Sequence, residues 1–167
     1  RLQVTDEERT LLNKKNVKIV AQIWGNNPEH YQQVVKEITE EMEFDGIDIN
    51  MGCPVAQVVA RGCCSGLIGN PSLAKEIILA AKESTHLPVS VKTRTGLKTI
   101  ATEEWIGQLL ETKPAAITLH GRTQKQMTVG PAKWEEIGKA ARLRDALGLD
   151  IPILGNGDIL SLEDARQ

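Results

Sequence analysis

Five short apolar runs in this chain each finish on a side chain that can do chemistry: Gln22, Asn50 with Cys53, Lys92 with Arg94, His120 with Arg122, and Asn156 with Asp158. Cys53 lies in Asn50-Met51-Gly52-Cys53-Pro54, where Gly52 lets the backbone leave the run tightly and Pro54 stiffens the exit. A thiol with an unperturbed pKa of about 8.5 is mostly protonated at neutral pH, so it can give a proton as well as attack. The alternative is a small buried hydrophobe, the usual fate of a free cysteine. Lys92 closes Val89-Ser90-Val91-Lys92-Thr93-Arg94, and an ammonium drawn into so apolar a run needs an anion or an electron-rich ring beside it. In His120-Gly121-Arg122-Thr123 the imidazole can donate to a ligand oxygen and the guanidinium can hold a carboxylate or phosphate. The carboxamide of Gln22 both donates and accepts, which suits the imide edge of a heterocycle, although a loop-facing polar residue would read the same. Gly155-Asn156-Gly157-Asp158 offers successive backbone N–H groups ahead of a helix, an arrangement that cradles phosphate in barrel enzymes.

The elements that must position these groups alternate in kind. Lys18 to Trp24, Gly46 to Met51, Val89 to Thr93, Ala115 to His120 and Ile151 to Leu154 are short, rich in Val and Ile, and bounded by Gly, Pro or Asn, as buried strands are. Between them Pro28 to Met42, Pro71 to Ser84, Thr102 to Thr112 and Trp134 to Leu147 carry apolar residues at helical spacing, with Pro28 and Pro71 at first-turn positions. Strand and helix in alternation imply right-handed crossovers and a parallel sheet. An open doubly wound sheet gathers its ligand at one switch point, whereas all five strand ends here carry chemistry, which favours a (β/α)₈ barrel. Five strands are too few to close one, so the expected fold is α/β, a partial TIM barrel with five of eight parallel strands. Thr5 with Glu8, and Ser161 with Asp164, have the form of capping boxes that open further helices. The chain begins at Arg1 rather than a start methionine and Gln167 cuts the last of those helices short, which reads as an internal fragment of a barrel domain.

Composition narrows the classes. The 167 residues are 41% hydrophobic and 25% charged, ordinary for a globular domain. A formal net charge of −2 gives no overall basic field for nucleic acid, so any RNA contact needs a local patch or a segment outside the chain. No apolar run approaches the roughly 20 residues that cross a bilayer, and the cytoplasm is the expected compartment. Three cysteines, with Cys63 and Cys64 adjacent, form neither a disulfide framework nor a Cys-x-x-Cys metal pair; Arg61 to Gly66 reads as a glycine-rich loop filled by small residues.

Together the motifs resemble the tRNA-dihydrouridine synthase family of FMN-dependent TIM barrels. The matching segments are Ala21-Gln22-Ile23-Trp24-Gly25, Asp48-Ile49-Asn50-Met51-Gly52-Cys53-Pro54, Val89-Ser90-Val91-Lys92-Thr93-Arg94, Leu119-His120-Gly121-Arg122-Thr123 and Gly155-Asn156-Gly157-Asp158-Ile159, in order from about Lys18 to the end. The resemblance implies that NADPH reduces FMN, that hydride passes to the 5,6 double bond of a tRNA uridine, and that Cys53 protonates the neighbouring carbon. It implies that Gln22, Asn50, Lys92 and His120 contact the flavin, that Asn156, Gly157 and Asp158 hold its phosphate end, and that Arg94 and Arg122 face the substrate. It places the family's opening strand, last strand and helical RNA-binding domain outside this chain, and implies a monomer when intact. Gln57 stands where the family commonly has a lysine, and Gly62-Cys63-Cys64-Ser65-Gly66 replaces a Gly-Ala-Gly-Ser-Ala-like loop. The alternatives are a flavin barrel of the dihydroorotate or dihydropyrimidine dehydrogenase kind, which lacks the His-Gly-Arg-Thr and Gly-Asn-Gly-Asp pair, and a non-catalytic RNA-binding relative, against which Cys53 and Lys92 argue.

Overall fold

The computed structural model describes residues 4–166; Arg1 and Gln167, on which the reading of cut ends rests, lie outside the described residues. Helix α1 (Asp6–Lys14) is opened by the expected reciprocal cap, with Thr5 Oγ1 accepting from the Glu8 N–H at 3.2 Å and Glu8 Oε2 accepting from the Thr5 N–H at 3.0 Å. The chain then runs β1 (Val20–Ile23), α2 (Pro28–Glu41), β2 (Gly46–Met51), α3 (Ala56–Ala60), a 3-10 turn (Cys64–Gly69), α4 (Pro71–Glu83), β3 (Val89–Arg94), α5 (Thr102–Leu110), β4 (Ile117–His120), α6 (Trp134–Ala146) and β5 (Ile153–Asn156). Asn27 and Asn70 cap α2 and α4 immediately before Pro28 and Pro71, each side-chain oxygen accepting from first-turn N–H groups.

All five strands are parallel and lie side by side in sequence order. An open doubly wound sheet would reverse that order at a switch point; an unbroken order, with α2, α4, α5 and α6 packed in the same succession, is that of a partial (β/α)₈ barrel. Alternation along each strand divides the side chains between two faces. Ala21, Ile47, Ile49, Met51, Val89, Val91, Ile117 and Leu119 are buried against Val35, Ile38, Ile77, Ile78, Trp105, Ile106 and Leu109 of the helices. Fully burying each large one is worth roughly 1.5–3 kcal/mol, so the core lies in the layer between sheet and helices. The opposite face carries Gln22, Asp48, Asn50, Ser90, Lys92, Thr118, His120 and Asn156, all half-buried or exposed.

Several elements differ from the sequence expectation, and β1 and β4, like β5, begin two residues later than expected, at Val20 and Ile117. β5 starts at Ile153 instead of Ile151, because Pro152 has no N–H for the ladder and serves only as acceptor, to the Ile117 N–H at 2.9 Å. Its frame therefore runs on through Gly155 and Asn156. Of the expected loop Arg61 to Gly66, Arg61 to Cys63 is a turn leaving α3, while Cys64 onward is a 3-10 turn; a Cβ on Gly66 would meet the Val59 carbonyl oxygen at 2.8 Å, so glycine lets the two segments cross. Ser161 and Asp164 do make capping contacts, Asp164 N–H to Ser161 Oγ at 3.1 Å and Leu160 N–H to Asp164 Oδ2 at 3.0 Å, but within the described residues they open only a three-residue 3-10 turn, Asp164–Arg166.

Candidate active site

Strand register lays the polar face out in three diagonal rows. Gln22, Asp48 and Ser90 are partners in one; Asn50, Lys92, Thr118 and Leu154 form the next; Arg94, His120 and Asn156 form the third, toward the C-terminal ends of the strands. Residues separated by up to 134 positions in sequence thus share one surface, because Gln22 and Asn156 sit on opposite edges of the same face.

Cys53 follows β2 and is half-buried at the rim. The turn that holds it is made by Asn50, whose Oδ1 accepts from the N–H groups of Gly52 and Cys53, each at 3.0 Å. Gly52 has no left-handed φ and a Cβ there would find ordinary contacts at 3.4 Å, so the tight exit comes from the carboxamide and not from glycine's conformational freedom. On the other side Ser65 clamps the Cys53 carbonyl through Oγ at 2.7 Å and N–H at 3.4 Å. Cys64, beside it, is buried in a left-handed conformation (φ 51°), and burial with the neighbouring Cys53 and Cys63 pushes its thiol up to about 12. It stays a protonated filler of the turn.

Lys92 is half-buried; burial lowers its pKa, Arg94 lowers it further, and Asp48 pulls it back up. The imidazole of His120 is held down at about 4, by burial first and then by Arg94, Lys92 and Arg122, so it is neutral at neutral pH. Arg122 Nη1 approaches His120 Nε2 at 3.4 Å, and a guanidinium only donates, which makes Nε2 the acceptor and puts the ring proton on Nδ1.

Two arginines expected to face substrate are occupied elsewhere. Arg94, 7% exposed, donates through Nε to the Gly52 carbonyl at 2.7 Å and through Nη1 to those of Thr123 and Met127 at 3.1 and 2.8 Å. Arg122, 6% exposed, donates to the Gly130 carbonyl and, from Nη2, to both carboxylate oxygens of Asp158 at 2.6 and 2.7 Å. Asp158 also accepts from the Ala132 N–H, the main cause of its lowered pKa ahead of Arg122. Its carboxylate therefore locks the loop after β4 to the loop after β5, and the helix expected to complete the phosphate cradle is not formed directly behind it. Position 157 requires glycine, since its φ is 120° and a Cβ would lie 2.8 Å from Ala132 Cβ and 2.9 Å from the His120 ring. Next to it Asn156 Oδ1 is buried without a hydrogen-bond partner among the described residues.

Asp48 and Ser90 escaped the sequence reading. Asp48 Oδ2 accepts from Gln22 Nε2 at 2.7 Å, Oδ1 accepts from Ser90 Oγ at 2.7 Å, and Gln22 Oε1 accepts from Asn50 Nδ2 at 3.0 Å. The signal available was period two: Asp48 stands two residues before Asn50 and therefore on its face. Among the described residues no group of three or more His, Cys, Asp or Glu side chains could hold a metal, and no helix is long and apolar enough to cross a membrane.

Comparison with known proteins bears on the family and the fold. A family model described as dihydrouridine synthase (Dus) matches residues 2–167. The chain is 41% identical over 160 residues to a "Probable tRNA-dihydrouridine synthase 2" of Bacillus subtilis (strain 168), covering 95% of this chain and 46% of that protein. It is 43% identical over 142 residues to a "Probable tRNA-dihydrouridine synthase" of Staphylococcus aureus (strain Mu50 / ATCC 700699), covering 84% of this chain and 43% of that one. The chain thus spans less than half the length of these curated relatives. Among solved structures, a putative phosphonomutase from Burkholderia cenocepacia J2315 superposes with a TM-score of 0.60 at 16% identity over 84% of this chain and 55% of its own, a likeness of fold alone. With a family model along nearly its whole length and relatives above two-fifths identity, the chain belongs to the dihydrouridine synthase family.

Proposed function

We propose that the intact protein reduces the 5,6 double bond of a uridine in tRNA, with FMN held against the polar face of the sheet and NADPH as reductant. The observation that carries this reading is that Gln22, Asn50, Lys92, His120 and Asn156 share one face in adjacent register rows, with Cys53 at its rim. The residues fit a flavin: Lys92, Arg94 and Arg122 crowd a neutral His120, a field suited to an anionic ring or phosphate, and Asn156 Oδ1 is a buried acceptor with no partner among the described residues. When bound, FMN would supply the hydride that it takes from NADPH.

The rest of the chemistry falls to the chain's own groups. Lys92, whose pKa burial and Arg94 lower and Asp48 partly restores, would in its cationic form offset negative charge on a neighbouring ring. Gln22 and Asn50 offer N–H donors of fixed orientation, and His120 offers Nδ1–H. The Cys53 thiol gives its proton to the uracil carbon next to the one receiving hydride, so the double bond gains two hydrogens, and the thiolate regains a proton from water. We infer further that the strands closing the barrel and an RNA-binding helical domain come from the part of the relatives' length beyond this chain, that the intact protein is a monomer, and that it works in the cytoplasm, where tRNA is.

The test uses the full-length protein. It should purify yellow with FMN and add two hydrogens to tRNA uridine, read by mass analysis of nucleosides. Cys53→Ala should still bind FMN and accept hydride from NADPH, since neither step needs the proton, while single-turnover reoxidation by tRNA falls by about two orders of magnitude or more. Cys63→Ala should behave as the parent. Parental reoxidation with dihydrouridine formation by Cys53→Ala would remove Cys53 from the chemistry.

A further inference from the structure

Four side chains on the polar face are joined in a relay whose two ends leave no choice of orientation. At one end Asp48 is a carboxylate and can only accept, from Gln22 Nε2 and Ser90 Oγ, both at 2.7 Å. At the other end two backbone N–H groups, of Gly52 and Cys53, can only donate, both to Asn50 Oδ1 at 3.0 Å. Between the ends lies the 3.0 Å contact from Asn50 Nδ2 to Gln22 Oε1. Turning the Gln22 amide over would set oxygen against carboxylate and nitrogen against nitrogen. Asn50 has no freedom to follow, because its own oxygen is held by the two backbone donors. A carboxamide is otherwise indifferent to a flip, so Gln22 is oriented from both sides, by Asp48 at one end and by the backbone-held Asn50 at the other.

We propose that Asp48 is a positioning residue of this site: by accepting from Gln22 it holds that carboxamide with its oxygen on Asn50 Nδ2, and through Asn50 it braces the turn that carries Cys53. The importance of that turn for reactivity rests on the proposed function; the relay itself does not. Asp48 acts by the hydrogen bond it accepts. Asparagine in its place keeps an oxygen for Gln22 and turns an N–H₂ toward the Ser90 hydroxyl, which can accept it and donate onward to the Ile47 carbonyl, already 3.4 Å away. Leucine, of similar size, removes the acceptor.

The experiment reads the alkylation rate of Cys53 by iodoacetamide in flavin-free, full-length protein, followed peptide by peptide in a mass spectrometer. Cys63 and Cys64, both buried, serve in the same molecule as the gauge that the fold has held. Asp48→Leu should raise the Cys53 rate by about tenfold or more, as loss of a charge-assisted hydrogen bond allows, with Cys63 and Cys64 still protected. Asp48→Asn should stay near the parent. Combining Asp48→Leu with Asn50→Ala should add nothing to Asn50→Ala alone, since both cut one path. An unchanged Cys53 rate in Asp48→Leu, an effect of Asp48→Asn as large as that of leucine, or additive effects in the double variant would each overturn the proposal. Should Asp48→Leu expose all three thiols, Gln22→Met cuts the relay with Asp48 in place and must raise the Cys53 rate alone; a parental rate there overturns the proposal equally. Because the measurement is made without flavin, a parent that binds no FMN defeats the functional reading and leaves this result standing.

Discussion

His120 shows most directly how position changes a side chain's chemistry. In water an imidazole titrates near neutrality, but burial and the three cations around this one hold it down at about 4. The folded protein therefore resists protonating it while the unfolded chain, with a pKa near 6.5, does not. Between those values the unfolded state binds more protons, so stability rises with pH. The contribution is complete above about 6.5, is lost progressively as pH falls toward about 4, and changes no further below. We predict that the unfolding midpoint of the parent falls more between pH 7 and pH 4.5 than that of His120→Gln, measured in parallel; identical pH profiles would mean that the imidazole titrates normally. Sequence disclosed the candidates at this scale but not their partners. A histidine, an arginine and an aspartate after successive strands read as three ligand contacts, whereas Arg122 spends its fork on Asp158. Asp48 was hidden for the opposite reason, since one charge between Ile47 and Ile49 reads as a strand's solvent side until Gln22 is seen opposite it.

Arg94 belongs to the scale of elements. Its guanidinium joins the exit of β2, at Gly52, to the loop after β4, at Thr123 and Met127, so one side chain ties together the two segments that flank β3. Arg94→Ala should strand three carbonyls and destabilise the intact protein by about 2–4 kcal/mol, read from denaturant unfolding. A variant of parental stability with a raised KM for tRNA would return Arg94 to the substrate. The strands and long helices were legible because each has an unambiguous period: β2 matches its expected limits at Gly46 and Met51, and α2 and α4 start at their prolines. The short α3 was not, for five residues hold too little of a helical repeat to stand out among glycines and cysteines. Pro152 misled by its company, an apolar run whose ladder begins one residue later.

At the largest scale the decisive fact is that, among the described residues, the polar face has helices behind it and no element in front. A site for a ligand of flavin size normally encloses most of the ligand, and five strands wrap only part of the way round. The isolated 167-residue chain should therefore bind FMN at least about tenfold more weakly than the intact protein, measured by quenching of flavin fluorescence. Equal affinities would show that this segment alone makes the site.

The one-sided core has a consequence for descent. Foldedness is secured by every second residue of each strand, packed against the helices, and ligand chemistry is written on the residues between. Substitutions at positions such as Ser90 or Thr118 change what the face can recognise while leaving Val91 and Ile117 in place. Inheritance can then vary substrate and preserve architecture almost independently, which is how a single scaffold comes to be shared by enzymes whose sequences have otherwise drifted far apart.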